Sequence, residues 1–173
     1  MQKLNNMNSQ KILNFIAFLC IAAVGFALFS QHYLGMLPCA WCVLQRLILL
    51  TIAVICLLAN LFKPLFLIRL CAFLSFSLSI TGILSAWYQY SVASNLVSCD
   101  MTFADRFMSK WTGLDAMFPW LFGIFATCMD AKVSLLGIDY ALWALAMFVL
   151  CALLSLIAVF RKNNRELFSH YSY

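Results

Sequence analysis

The chain has little charge and few of the residues that break helices. Only 10% of its 173 residues are charged, and it contains 6 glycines and 3 prolines. Soluble domains carry about 25% charged residues, so this composition excludes a soluble globular protein. Disordered chains need low hydrophobicity and high net charge, and collagen-like chains need far more glycine and proline. With 65% hydrophobic residues and a mean hydropathy of +0.96, the chain is expected to be an integral membrane protein.

Acidic residues are especially scarce. The chain has 6 of them against 11 basic residues, which gives a net charge of +5. The basic residues stand in ones and twos around apolar blocks, which is typical of membrane topology determinants and not of a nucleic-acid-binding surface. We therefore expect membrane lipid as a partner and no nucleic acid.

Four apolar blocks are long enough to cross a hydrocarbon layer of ~30 Å, which takes about 20 helical residues. We predict an all-α membrane protein, a four-transmembrane-helix bundle that forms a single domain over residues 1–173. Proline ends a helix, so Lys63 and Pro64 predict a tight hairpin between the second and third spans. The spans are residues 12–30, 43–62, 65–88 and 140–160, and the loops opposite that hairpin are residues 31–42 and 89–139.

The charges are divided between the two faces of this bundle. Both termini and the hairpin lie on one face, with seven of the 11 basic residues, while the opposite loops hold five of the six acidic ones. By the positive-inside rule, the termini are expected to be cytoplasmic and the two loops external.

The long external loop carries an amphipathic pattern. Its apolar residues at positions 103, 107, 111 and 114 fall on one narrow helical stripe, with Asp105 and Ser109 opposite. The pattern predicts a helix in the plane of the membrane surface. Residues 117–125 are apolar but broken by Pro119 and Gly123, so we expect them to lie on the membrane surface, with packing on the bundle as the alternative.

The eight cysteines divide into two groups. One lies in each predicted span, where a thiol behaves as a small apolar group and is unreactive. The other four all belong to the external loops. The span cysteines are Cys20, Cys56, Cys71 and Cys151, and the loop cysteines are Cys39, Cys42, Cys99 and Cys128.

The loop cysteines allow more than one interpretation. Four thiols could form two structural disulfides in any of three pairings. A Cys-x-x-Cys pair such as Cys39 and Cys42 closes a very small loop, so it is a poor staple and is more typical of thiol–disulfide exchange. Cys99 and Cys128 are 29 apart with no His between them, which does not favour zinc, and we expect no metal. A bond between these two could staple the loop or take part in exchange.

Arg46 is a charged residue inside a predicted span. It follows Cys42 by four residues, so a helix places the cation one turn from the sulfur, and the N-terminus of the same helix points at the pair. A charge within a span is by default a functional residue. The alternative is that Arg46 extends to the lipid headgroups.

These features together resemble the bacterial DsbB family: four spans, the string Pro38-Cys39-Ala40-Trp41-Cys42 followed by Arg46, and a second cysteine pair in the next external loop. The resemblance covers nearly the whole chain. It implies an inner-membrane oxidoreductase that reoxidises a periplasmic DsbA-like thiol oxidase and passes the electrons to a quinone, ubiquinone or menaquinone. By position, Cys99 and Cys128 would exchange with the partner, Cys39 and Cys42 would deliver electrons, and Cys42 with Arg46 would bind the quinone.

Two other functions fit parts of the pattern. A vitamin K epoxide reductase-like or reductive thiol–quinone enzyme also combines four helices with two cysteine pairs, but its Cys-x-x-Cys lies toward the last span. A non-enzymatic membrane subunit with stapled loops would not depend on Arg46. The sequence has no flavin, dinucleotide or haem motif, so a lipid-soluble electron acceptor is the expectation that remains.

Overall fold

The computed structural model describes residues 9–61, 64–92, 103–127, 130, 134–135 and 137–161. Cys99 and Cys128 lie outside the described residues. Four helices in this part of the chain are long and apolar enough to cross a membrane, as the apolar blocks predicted, so the four-helix architecture is confirmed. In chain order the helices are α1 (Ser9–Tyr33), α2 (Ala40–Leu58), α3 (Leu65–Ser91), α4 (Phe103–Asp105), a π-helix (Arg106–Thr112), α5 (Leu114–Met117), α6 (Pro119–Phe122) and α7 (Tyr140–Phe160).

The four long helices form an antiparallel bundle. Helix α1 packs on α2 and α7, and α3 packs on the same two helices. A two-stranded antiparallel hairpin, β1 (Ser134–Leu135) and β2 (Ile138–Asp139), leads directly into α7, with Ser134 opposite Asp139. Gly137 in its turn has φ +80°, a conformation that favours glycine.

Helix α2 begins and ends earlier than the predicted span of residues 43–62. Cys39 is its N-cap residue with an extended backbone (φ −89°, ψ 170°), and the Val43 N–H donates to the Cys39 carbonyl oxygen at 3.1 Å. The Cys-x-x-Cys string therefore forms the N-cap and first turn of α2. This brings both sulfurs to a helix N-terminus, whose unpaired N–H groups carry partial positive charge.

The contact between α3 and α7 depends on small residues. Ala72, Ser75, Ser79, Gly82 and Ala86 recur every three or four positions on α3, and all five are buried. A stripe of small side chains lets two membrane helices approach closely. The fully buried ring of Phe148 on α7 packs directly on Gly82, where an added Cβ would overlap it.

Gly82→Ala is expected to destabilise the bundle, because inserting a methyl group into a tightly packed contact costs about 1–3 kcal/mol. The measurement is the midpoint of thermal unfolding in detergent. Gly25→Ala on α1 is the matched control, since no atom lies within 4 Å of its added Cβ. Equal midpoints for the two variants would contradict the close approach of α3 and α7.

The four span cysteines are all buried in the core. The sulfurs of Cys20 on α1 and Cys151 on α7 lie 3.8 Å apart, and Cys56 donates to Ser75 Oγ at 3.6 Å. Ser75 in turn is hydrogen-bonded to Ser155 across the α3–α7 contact, at 2.9 Å between the hydroxyl oxygens. These thiols and hydroxyls fill space as small groups while satisfying one another inside an apolar bundle.

The predicted stripe in the second loop lies on α4 and the π-helix. The rings of Phe103 and Phe107, and those of Phe107 and Trp111, are each 6.1 Å apart between centroids. Phe103 and Trp111 are exposed, while Ala104 and Met108 are fully buried toward the bundle. The Phe103 and Trp111 rings therefore point away from the bundle, whereas Phe107 is partly buried against its core, and contact of the exposed rings with lipid stays a prediction.

Candidate active site

The Cys39 and Cys42 sulfurs lie 3.3 Å apart at the start of α2. This is well beyond the S–S bond length of about 2.05 Å, so the two sulfurs are not bonded to each other. Cys39 is fully buried, whereas Cys42 is partly exposed. The two sulfurs are close enough to form a disulfide after a small movement, and only one of them faces open space.

Two buried glutamines connect this pair to α3. Gln89 Nε2 lies 3.1 Å from Cys42 Sγ and 3.7 Å from Cys39 Sγ. Gln45 Nε2 donates to Gln89 Oε1 at 2.8 Å. Because the carbonyl oxygen of Gln89 is taken by Gln45, its NH2 group faces the sulfurs as a donor.

The Arg46 guanidinium lies inside the bundle and is only 6% exposed. Its NH1 donates to Gln31 Oε1 at 2.6 Å and to the Leu121 carbonyl oxygen at 3.1 Å, and NH2 donates to the Ala27 carbonyl oxygen at 3.4 Å. The planar fork of arginine suits several oxygens at once. Arg46 thereby places a fixed positive charge beside the Cys-x-x-Cys turn, in a site of low effective dielectric.

A cavity of about 440 Å³ opens from this site between α1, α2 and α7. Its polar end consists of Cys42, Gln45, Arg46 and Tyr140. The cavity exists because the side chains that α1 presents to it include several alanines, which are too short to fill the space between the helices. A volume of several hundred Å³, mostly apolar walls and a few polar groups are typical of a small-molecule site. The apolar walls are Leu19, Ala22, Ala23, Phe26, Ala27, Leu49, Trp143, Ala144 and Met147.

The rim of the cavity faces sideways out of the bundle. Phe26 on α1 and Trp143 on α7 both line the cavity, and they are 47% and 44% exposed on the outer surface. A lipid-soluble molecule could enter between these two helices with its polar head directed to Cys42 and Arg46.

Residues 121–125 of the second loop, here called the strap, are tied to the site from the loop side. The Leu121 carbonyl oxygen accepts from Arg46, and the Phe125 N–H donates to the Pro38 carbonyl oxygen at 3.1 Å. Phe122 is buried in the same core as Cys39. The strap therefore packs on the bundle, while the rings of Phe125 and of the preceding Trp120 are exposed, and contact of residues 117–125 with the membrane surface stays a prediction.

An aromatic contact supports the turn from its other side. Trp41, between the two cysteines, is buried and packs on Tyr88 with ring centroids 4.9 Å apart. Its indole Nε1 has no hydrogen-bond partner among the described residues. The indole therefore acts as an apolar group that packs the Cys-x-x-Cys turn against α3.

The structure brings Cys39, Cys42 and Arg46 together at one site. Cys42 and Arg46 line the same cavity, as their four-residue spacing predicts, and the described residues contain no cluster of three or more potential metal ligands. Four further residues of the site were not predicted from the sequence. Three of them are glutamines within or at the ends of apolar helices, where a buried amide needs a hydrogen-bond partner, so their position could have indicated a site. The missed residues are Gln31, Gln45, Gln89 and Tyr140.

Comparisons with known proteins give one consistent result. The family model for disulfide bond formation protein DsbB matches residues 9–158. A disulfide bond formation protein B from Herminiimonas arsenicoxydans is 30% identical over 158 residues, covering 91% of this chain and 99% of that protein. One from Ralstonia nicotianae is 32% identical over 162 residues, covering 91% and 98%. Disulfide bond formation protein B 1 of Pseudomonas entomophila is 31% identical over 160 residues, covering 90% and 93%.

Proposed function

The chain belongs to the DsbB family of disulfide bond formation proteins, and from this premise we propose a specific reaction for it. It reoxidises a periplasmic DsbA-like thiol oxidase and transfers the two electrons to a membrane quinone, either ubiquinone or menaquinone. The family makes the chain a disulfide-forming oxidoreductase, and its four apolar helices make it a multi-pass membrane protein.

The observation that carries the proposal is a cysteine pair at the polar end of an apolar cavity, which opens at the side of the helix bundle. Cys42 and Arg46 line the cavity together. Disulfide exchange moves a disulfide without creating one, so net oxidation needs an acceptor outside the thiols. The cavity fits a quinone by its chemistry, because hydrogen-bond donors lie at one end and apolar walls surround the rest. A bound quinone would supply the capacity to take up two electrons and two protons.

The proposed relay has three balanced steps. The partner's dithiol reduces a Cys99–Cys128 disulfide and becomes a disulfide itself. The resulting Cys99 and Cys128 thiols then reduce a Cys39–Cys42 disulfide by exchange. Finally, Cys39 and Cys42 lose two electrons and two protons as their sulfurs join, and the acceptor gains them.

Arg46 is proposed to act on both reactants of the last step. Its guanidinium stabilises negative charge on Cys42 and hydrogen-bonds an oxygen of the acceptor, which costs no reorganisation because Gln31 and two backbone carbonyl groups already hold it. Tyr140, which lines the same end of the cavity, is a second donor within the site.

The proposed orientation follows from charge. Arg69 and Arg161 belong to the end of the bundle opposite Cys39, and Asp105, Asp115 and Asp139 to the cysteine end. The positive-inside rule then assigns both termini to the cytoplasm and the two cysteine loops to the periplasm of a bacterial inner membrane.

The test is reoxidation of a purified, reduced DsbA-like protein by this purified chain in detergent. We expect catalytic loss of partner thiols in the presence of ubiquinone or menaquinone, with one quinol formed for each disulfide. The matched control omits the quinone, and we expect it to stop at no more than two partner disulfides per chain, one for each disulfide of the relay. Failure to turn over with either quinone would refute the proposed function.

A further inference from the structure

The two buried glutamines beside Cys42 have no place in the relay described so far. Gln89 and Gln45 are 6% and 5% exposed, and they lie on adjacent helices α3 and α2. A buried amide without hydrogen-bond partners destabilises the folded protein. Here the Gln45 NH2 group donates to the Gln89 carbonyl oxygen, and the NH2 group of Gln89 is directed at Cys42 Sγ.

We propose that Gln89 is the direct hydrogen-bond donor to the Cys42 thiolate, and that Gln45 is the positioning residue that holds the Gln89 amide in its donor orientation. This assignment rests on the proposed function for its role in turnover. Gln89 approaches Cys42 Sγ more closely than Cys39 Sγ, at 3.1 Å against 3.7 Å. Donation to a charged sulfur is stronger than donation to a thiol, so the amide favours charge on Cys42.

The step in which this matters is disulfide exchange within the relay. An attacking thiolate forms a bond to Cys39 Sγ while the Cys39–Cys42 bond breaks, and Cys42 receives the electron pair as a thiolate. Charge and the number of disulfides are unchanged. A leaving thiolate that is better stabilised leaves faster, so Gln89 would accelerate this step.

Arg46 does not already perform this role. It donates to the oxygens of Gln31, Leu121 and Ala27, so it acts on Cys42 through its charge. Gln89 is absent from the described lining of the cavity, which Arg46 and Cys42 share. The two residues therefore predict different kinetic effects: loss of Gln89 should slow exchange without changing the binding of the acceptor, whereas loss of Arg46 should weaken the binding of the acceptor as well.

The groups around Cys42 determine the pH at which its thiol ionises. Among the residues that the structure describes, the charged or titratable groups that face it are Cys39 at the N-cap of α2, Arg46 on α2 and Tyr140 on α7. Helix α3 contributes the uncharged amide of Gln89. A variant at Gln89 therefore changes the hydrogen bond to Cys42 while leaving these charges in place.

The test measures the rate of Cys42 alkylation by N-ethylmaleimide against pH, in the full-length reduced chain carrying Cys39→Ser, by peptide mass spectrometry. In Gln89→Leu the pH of half-maximal rate is expected to rise by about one to two units, the equivalent of one hydrogen bond to a charged group. Gln89→Glu keeps the acceptor for Gln45 and, once ionised, puts a negative charge beside sulfur in place of an N–H donor, so the pH of half-maximal rate should rise at least as far. Gln45→Leu should give a smaller rise.

Gln10→Leu is the matched control, because Gln10 is hydrogen-bonded to Asn60 at the far end of the bundle. It should titrate as the parent does. Unchanged profiles in both Gln89 variants would overturn the assignment, and Gln89→Glu keeps the test valid if Gln89→Leu does not fold. Neither quinone nor partner is needed, so the result stands apart from the proposed function. With Cys39 restored, Gln89→Leu should slow turnover about three- to ten-fold with an unchanged KM for quinone.

Discussion

Cys42→Ser is expected to abolish quinone-dependent turnover completely, while one round of exchange between the partner and the Cys99–Cys128 pair survives. The hydroxyl of serine cannot form a disulfide, so electrons that reach the loop pair have no route to the acceptor. The measurement separates the two half-reactions: partner thiols lost in the first seconds, and quinol formed afterwards. We expect about one partner disulfide per chain and no quinol.

Cys71→Ser is the matched control for this prediction. Cys71 is also a buried cysteine, but it lies on α3 in the membrane-crossing core and not at the Cys-x-x-Cys turn. We expect it to retain turnover. Continued quinol formation by Cys42→Ser would show that the helix-entry pair does not deliver electrons to the acceptor.

Arg46→Ala is expected to raise the KM for quinone by roughly ten- to a hundred-fold. A missing hydrogen bond from a charged group costs about 1.5–3 kcal/mol, and each 1.4 kcal/mol corresponds to a factor of ten in affinity. Arg46→Lys keeps the charge but not the planar fork, so it should be intermediate. Exchange between the partner and Cys99 or Cys128 should hardly change. Steady-state turnover against quinone concentration for the three proteins is the measurement.

The exposed Arg69 on α3 provides the control for loss of a positive charge. Arg69→Ala should keep the wild-type KM. Arg46→Ala also leaves Gln31 and the Leu121 carbonyl without their donor, so its thermal unfolding should be measured alongside. A wild-type KM in a folded Arg46→Ala protein would mean that the acceptor binds elsewhere.

The sequence predicted the elements whose cause is local. Long apolar runs require helices in a membrane, since each buried backbone N–H and C=O must be satisfied within the segment. Likewise, the spacing of Cys39, Cys42 and Arg46 on one helix is sufficient to bring them to one site. The four spans were predicted correctly in number and order, and α7 matches its predicted bounds, whereas α1 extends beyond residues 12–30 at both ends. Helix α2 begins at Ala40 because the Cys-x-x-Cys turn is itself helical.

Contacts between helices were not predictable in the same way. Gln89 is close to the end of an apolar run, where a polar residue ordinarily indicates the membrane interface, and nothing local shows that it reaches Cys42. The contribution of the strap was hidden for another reason. Its contacts with Arg46 and Pro38 use a backbone carbonyl and a backbone N–H, which every sequence possesses.

Cys39 is completely buried, and the strap is hydrogen-bonded to the neighbouring Pro38. This burial affects the rate of disulfide exchange at Cys39. A sulfur that attacks Cys39 can reach it only when its side chain becomes exposed, so exchange at Cys39 is expected to proceed from the exposed fraction of molecules. When opening and closing are fast, the observed rate is the intrinsic rate multiplied by that fraction. Free thiols are therefore expected to react slowly with Cys39. A thiol on the same chain, such as that of Cys99 or Cys128, is present at each exposure at an effective concentration that free thiols do not reach.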